Sequence, residues 1–458
     1  MPVSDQHKLY TESLPYWKLG RDASKGSEAI KKARTIYLPM PNSLDQSDEN
    51  VQRYNDYLHR ACYVNFTGQT KEGLIGMAFL KPPTDEIPEK LQYLKTSISG
   101  NSLSMIQFIK RLISDQCDTG RGGILTDYPS VPDGLTQIQT NSLRANILRY
   151  KAEDIINWKT ENINGASVLV MVVLKEPKSN PSEDGFSSEE VIHHRVLKLT
   201  DGVYSQEVYD DKDNLISFAV PRNAKNATWD KIPFTFFGSE NNSSDIDKAL
   251  LIDIAMTNIA HYLNSADYEE SSHIVGQPTP YASGLTQAWI DSVWEGTLTL
   301  GSRAFLPLPE NGTAGLLQAS PNSMPKEGMS MKEDQMVKIG ARIIADSSGI
   351  ETAEAAKIRF SGQNSKLSSA LGNLEDALIQ SFGWAGEFMG ADGDIDLRLN
   401  RQFYDATIAP EKIMANIQLI DRGIITVSDL RDTLRESGEL KRTDDEINEE
   451  NLMINPLA

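Results

Sequence analysis

Cysteine is scarce: Cys62 and Cys117 are the only two in 458 residues. That excludes a disulfide framework. Each lies in a helical pattern among apolar neighbours, as small buried core residues of a reducing compartment do. Histidine is sparse too, with six residues: His7, His59, His193, His194, His261 and His273. They contain no H-E-x-x-H and no pair four apart on a helix, which removes the usual zinc-hydrolase pattern. His193 and His194 are neighbours on a strand pattern and point to opposite faces, which argues against a joint metal site. C-x-x-C, G-x-x-x-x-G-K-[ST] and G-x-S-x-G are all missing, so no redox dithiol, phosphate loop or nucleophile elbow is encoded. No apolar run reaches the roughly 18 residues of a membrane helix. The opening MPVSDQHKLYTESLPYW lacks a signal-peptide core. The expectation is a chain made and used in a cytoplasm, without a membrane partner.

Positive charge is also in short supply. Lys and Arg total 45 against 64 Asp and Glu, a net charge of −19. Tight nonspecific binding of nucleic acid by the whole chain is therefore not expected, because phosphate contacts need clustered cations. A conduit that DNA passes without sticking remains compatible with a like-charged wall; the plainer meaning of the acidity is solubility. What is present is ordinary for a globular protein, 39% hydrophobic and 24% charged, with length for two or three domains or one extended subunit.

In chain order, residues 1–48 read as a polar, irregular arm with one short helical candidate at 26–34. A helix begins at Asp48 with acids in its first turn. A turn, a short helix and a strand ending at Pro82-Pro83 follow. Residues 102–116 form an amphipathic helix with Leu103, Ile106, Ile109 and Ile113 on one side. GRGG at 120–123 reads as a flexible turn. After it come strands, a short helix near 152–157, the apolar run 166–175 as a central strand, a polar loop at 179–188, and a meander turning at Asp201-Gly202 and 211–214. Asp211–Asn214 and Asp392–Asp396 resemble calcium loops, but lack the Gly and terminal Glu in register, so hairpin turns are expected. Residues 49–240 read as one α+β body.

The organising stretch is 244–389. A helix at 245–271 is expected, with Ser244 as N-cap and Asp247 at N3. An insert rich in Gly, Pro, Trp and Thr follows, with strand-like pieces at 297–300, 304–306 and 315–318 and a short helix near 285–294. A second helix covers 330–345. A small-residue loop, DSSGIETAEAAKIRFSGQ (346–363), leads to a third helix at 365–389. Its Leu367, Leu371, Leu374, Leu378, Phe382 and Ala385 step by three or four and define a buried face. Short helices end the chain at 410–422, 426–437 and 444–451, with Thr426 an N-cap and Gly438 a stop.

This order of segments resembles the portal proteins of tailed bacteriophages. IPFTFFGSE before the first helix, HIVGQPTPY at the start of the insert and FLPLP before the second helix agree with it, and the resemblance spans about residues 54–438. It implies an α+β portal-like subunit with the following parts: 1–48, N-terminal arm; 49–243, first part of the wing; 244–273, stem helix; 274–325, β-containing clip; 326–346, second stem helix; 347–363, tunnel loop; 364–409, spine helix and strand of the wing; 410–458, small helical crown. Further, it implies a homododecameric ring at one capsid vertex of a virion, assembled in host cytoplasm. The ring would pass double-stranded DNA in packaging and ejection. Implied partners are the terminase large subunit, head-completion adaptor or neck proteins, and major capsid and scaffold proteins. No catalytic residue, metal or cofactor is implied, and without a Walker A sequence the chain is not the packaging motor.

Candidate sites follow. In the loop, Lys357 and Arg359, with Lys366 just beyond, would touch the phosphate backbone without reading bases; the plain alternative is a surface connector. In the insert, Trp289, Trp294 and Arg303 are candidates for partner contact, although the tryptophans serve equally as small-core anchors. The acids Asp245, Asp247, Asp253, Asp267, Glu269 and Glu270 form either a solvated face or rings lining a channel. Two rival readings are a metal-dependent nuclease with a carboxylate site and another structural neck or tail connector.

Overall fold

The computed structural model describes residues 2–401 less 130–142, 182–187, 278, 295–306, 318–322 and 345–364, together with 403, 417–420, 422, 424, 426–436, 440, 442–444 and 447. The chain is mixed α+β.

Residues 1–48 depart from the expected irregular arm. Helix α1 (Lys8–Lys25) buries Tyr10, Trp17 and Gly20, and α2 (Ser27–Lys32) buries Ile30. α1 has only a short apolar step, Tyr10, Leu14 and Trp17 at i, i+4 and i+7, set among polar residues, and ionic and small contacts complete its anchoring. Arg21 reaches Asp115 at 2.7 Å, Asp118 at 3.3 Å and Glu153 at 2.8 Å. Gly20 lies so close that an added Cβ would stand 2.0 Å from the Asp118 carbonyl oxygen. Ahead of α1, the Val3 N–H donates to Asp213, the Asn157 amide to the Asp5 carbonyl and the His7 N–H to the Ile156 carbonyl, which straps the first residues onto the body.

Helix α3 (Asp48–Arg60) starts at an N-cap Ser47, as its acids predicted. Cys62 is two residues past its end and exposed, so only Cys117 fits the expected buried pair. Helix α4 (Phe66–Ala78) extends through the stretch expected to hold a strand; β1 (Thr84–Glu86) lies beyond the prolines. Helix α5 (Met105–Thr119) has a Ser104–Gln107 capping box, and it buries Ile109 and Ile113 but leaves Ile106 exposed.

Gly120 ends α5 in the left-handed region at φ 71°, the usual glycine stop. The next three residues are not a flexible turn: they open the buried strand β2 (Arg121–Asp127). Phe237 and Phe234 rings fill the space where side chains on Gly122 and Gly123 would stand. β3 (Asn146–Lys151) follows; a single 3-10 turn at Ala152–Asp154 occupies the start of the expected short helix, and β4 (Ile155–Ile163) takes over the rest. β5 (Ala166–Pro181), β6 (Ser188–Thr200), β7 (Val203–Tyr209) and β8 (Leu215–Ala219) complete a five-stranded antiparallel meander in the order β4-β5-β6-β7-β8. β5 is an inner strand as its apolar run predicted, and it outlasts that run into the expected polar loop. β9 (Phe234–Gly238) joins β2 and β3 in a second sheet, β3-β2-β9.

The long helices come next: α6 (Ile252–Gly276), β10 (Thr279–Ser283), a helical turn over 287–294, β11 (Thr313–Leu317), α7 (Met324–Ile344) and α8 (Lys366–Met389). The first starts seven residues later than its N-cap pattern suggested. Asp247 is turned back to accept from the backbone N–H groups of Glu240 and Asn241 at 2.7 and 2.9 Å, so it caps a loop instead of a helix. α8 matches its period: all six stepped residues are buried, against β2, β9 and α5. β12 (Asp396–Arg398) pairs with β1, so residues 392–396 lead into a long-range pairing and not a hairpin. Helix α9 (Val427–Glu436) has Thr426 and Asp429 bonded reciprocally, the expected cap. Gly438 and most of the other terminal helices lie outside the described residues.

Candidate functional site

Helices α6 and α7 run antiparallel. Side chains meet at His261–Glu333, where Nε2 and Oε1 are 3.1 Å apart, at Asn264 beside Gly328, and at Ile254 beside Gly340. The interface is narrow because two of these three crossings use glycine; a Cβ on Gly328 would stand 2.5 Å from the Asn264 amide nitrogen. α6 is embedded at its start, against α1, α3, α4 and α5. Its burial stops at Ala266, and α7 buries only Met336 and Ile343 among its described side chains.

Between the helices, β10 and β11 pair antiparallel from Thr279↔Leu317 to Ser283↔Thr313. From Asp267 to residue 335, no described side chain is buried. Among the described residues, the far half of the helix pair and its insert thus show no core of their own. A groove of about 230 Å³ lies between α4 and α7, lined by Phe66, Thr70, Leu74, Met77, Met336 and Val337.

The acids proposed for a channel wall are largely engaged. Asp267 accepts from the Tyr57 hydroxyl at 2.7 Å, Asp253 pairs with Lys248 at 2.8 Å, and Glu270 pairs with Arg60. Asp245 accepts from Ser243 at 3.3 Å. Asp247 is the loop cap described above. Lys357, Arg359 and Arg303 lie outside the described residues. Lys366 is exposed in the first turn of α8, after the N-cap Ser365. Trp289 is half-buried, and its N–H closes the turn onto the Thr286 carbonyl at 3.0 Å. Trp294 ends the same helical turn. Lys366 thus opens α8, while the two tryptophans lie in the insert between α6 and α7.

Sequence reasoning missed a buried cation. Arg121 is 2% exposed, with its guanidinium carbon 4.1 Å from the ring centres of both Trp158 and Phe236. Its three side-chain nitrogens have no hydrogen-bond partner among the described residues. Burial pushes its pKa down to about 9 despite Asp247 and Asp245 nearby. His7 stacks on Trp158 at 4.1 Å, and burial, then the Arg121 charge, lower its pKa. The sequence signal was an arginine between glycines, GRGG, facing the aromatic run FTFF. Aromatic faces stand in for an acid here.

A family model described as Domain of unknown function (DUF4055) matches residues 250–389. That span begins two residues before α6 and ends on the last residue of α8. No curated protein matches the chain. Among solved structures, the chain is similar to one in the virion of a native gene transfer agent (GTA) particle, at 14% identity and a TM-score of 0.43, covering 85% of this chain and 94% of that one. It is similar to a chain in the neck of an empty GTA particle computed with C6 symmetry, at 14% identity and 0.43, covering 82% and 90%. A chain in the neck of a native GTA particle computed with C12 symmetry gives 13% and 0.40, covering 84% and 93%. No residue role passes to this chain at such identities.

Proposed function

We propose that this chain is the repeating subunit of a portal ring, the DNA conduit at one vertex of a phage-type capsid. One observation carries the reading. The helix pair α6–α7 is embedded at one end and carries, at the other, an insert without a single buried side chain among its described residues. A piece so small and rich in loops gains stability from neighbouring copies. The order around it supports the same role: stem, clip insert, stem, loop, then a spine helix locked in the body.

On this reading the work is geometric and involves no catalytic step. Twelve copies close by head-to-tail contacts. The clip docks the terminase and later the adaptor, while the body meets capsid and scaffold. Lys357, Arg359 and Lys366 face the passing duplex and hold it by phosphate contacts.

Light scattering on a sizing column, followed by negative-stain imaging, tests the ring. The expected particle is near twelve times 50.8 kDa, about 610 kDa, with a central hole. A chain that stays monomeric or dimeric with capsid and scaffold present sinks the reading. Particles carrying Lys357→Ala and Arg359→Ala are expected to lose packaged DNA; normal retention would remove those residues from the role.

A further inference from the structure

Strand β8 is the last strand of the meander, with no pairing partner beyond it among the described residues. Its Leu215, Ile216 and Phe218 are 55, 52 and 60% exposed. Asp211 and Asp213, in the turn just before it, are exposed as well. Edge strands of soluble chains are normally blunted by charge, proline or a covering element. This one presents an apolar edge beside negative charge.

A second patch has the opposite sign. Lys25, Lys32 and Arg34 are exposed around α2, and Ile36 beside them is 60% exposed. The contacts that cations here make within the chain are neutral: Lys31 donates to the His59 carbonyl at 2.9 Å and Arg34 to the Asn55 amide oxygen at 2.6 Å. In a chain of net charge −19, these cations outnumber the one exposed acid on α2, Glu28, and next to an exposed isoleucine they form a surface suited to an acidic, apolar partner.

The two patches sit at opposite ends of α1. Val3 bonds Asp213 and His7 bonds Ile156, which places the start of α1 beside the β7–β8 turn. α2 follows its far end. The 18 residues of α1 span about 27 Å. Patches so far apart cannot satisfy one another within one chain, but they can between copies, head to tail. That heterologous geometry is the one that closes into rings.

We propose that the β8 edge of one copy docks on the α2 patch of the next, with Phe218 and Leu215 against Ile36 and the turn acids against Lys25 and Lys32. This rests on the ring reading and names the surfaces that would build it.

Assembly of the full chain is followed by light scattering, with thermal melting of each variant as a folding control. Phe218→Ser is expected to raise the concentration needed for assembly by about tenfold or more. Lys25→Glu with Lys32→Glu should weaken assembly as well, and adding Asp211→Lys to that pair should restore it in part. If the ring forms equally well with both altered surfaces, the inference falls and the ring reading stands. If Lys25→Glu with Lys32→Glu leaves assembly intact but lowers retention of a short DNA duplex, the patch faces phosphate and the inference again falls. A wild-type chain that never assembles with capsid and scaffold present removes both.

Discussion

Helices α7 and α8 are similar in length, 21 and 24 residues, yet they are held by different means. α8 buries fourteen residues on a continuous face and adds a carboxylate, Glu375, that accepts from the Leu399 N–H at 2.6 Å and pairs with Arg401. α7 has Met336, Ile343, a His261–Glu333 contact and two glycines laid against α6. Apolar burial at about 25 cal/mol per Å² makes α8 part of the global fold. α7 packs along α6 but buries only Met336 and Ile343 among its described side chains, and opens locally at lower cost. Within one chain, α8 is secured on a buried face, whereas α7 leaves most of its described side chains unburied.

The comparison is broken or sharpened by substitution. Phe382→Ala on α8 is expected to cost about 3–5 kcal/mol of unfolding free energy, read from denaturant midpoints. Met336→Ala on α7 should cost less, about 2 kcal/mol, because its site opens onto the α4 groove and can collapse. Equal losses would show that α7 is as firmly part of the core as α8. Val337→Ser on the exposed side of α7 should change the free chain by about 0.5 kcal/mol or less; a larger change in the free chain would contradict its exposure. Hydrogen exchange supplies the same contrast without mutation: amides of α7 should exchange ahead of those of α8.

The smallest effect is a pH dependence. Burial holds His7 and His194 below the ordinary 6.5. The unfolded chain therefore binds protons that the folded chain refuses. Their contribution is fully present above pH 6.5 and is lost as pH falls from there toward the lowered folded values. Glu176 and Glu207, held below the ordinary 4.5, act in a separate and lower window. His7→Phe should flatten the upper slope of the melting temperature against pH; an unchanged slope would clear His7 of the effect.

Where apolar side chains alone decide a helix, the sequence was readable. The step from Leu367 to Ala385 defined α8 and its face before any coordinate. The meander was legible for the same reason, from alternation and turn residues. α1 was not, because its apolar step, Tyr10, Leu14 and Trp17, is short and the contacts of Gly20, Arg21 and Asp22 that complete it have no period. Residues 245–251 misled because an Asp three places after a Ser reads as a cap whichever backbone it bonds; here it faces the loop behind it. Arg121 was invisible because nothing local announces that a cation will lie between two rings from β4 and β9. Of the candidate site, sequence order gave the layout of helix, insert and helix. The engagement of Asp253, Asp267 and Glu270 depends on Lys248 nearby and on Tyr57 and Arg60 some 200 residues away, which no local pattern records.

The β10–β11 pairing has one more consequence. Thr279 and Leu317 are strand partners, so the chain leaves for the insert and returns from it at neighbouring points, about 5 Å apart. Everything between them hangs from a closed neck. Such a neck acts as a graft point: the intervening residues can be shortened, lengthened or exchanged in evolution while the two helices keep their alignment. A lineage can change this end without redesigning the body that holds it.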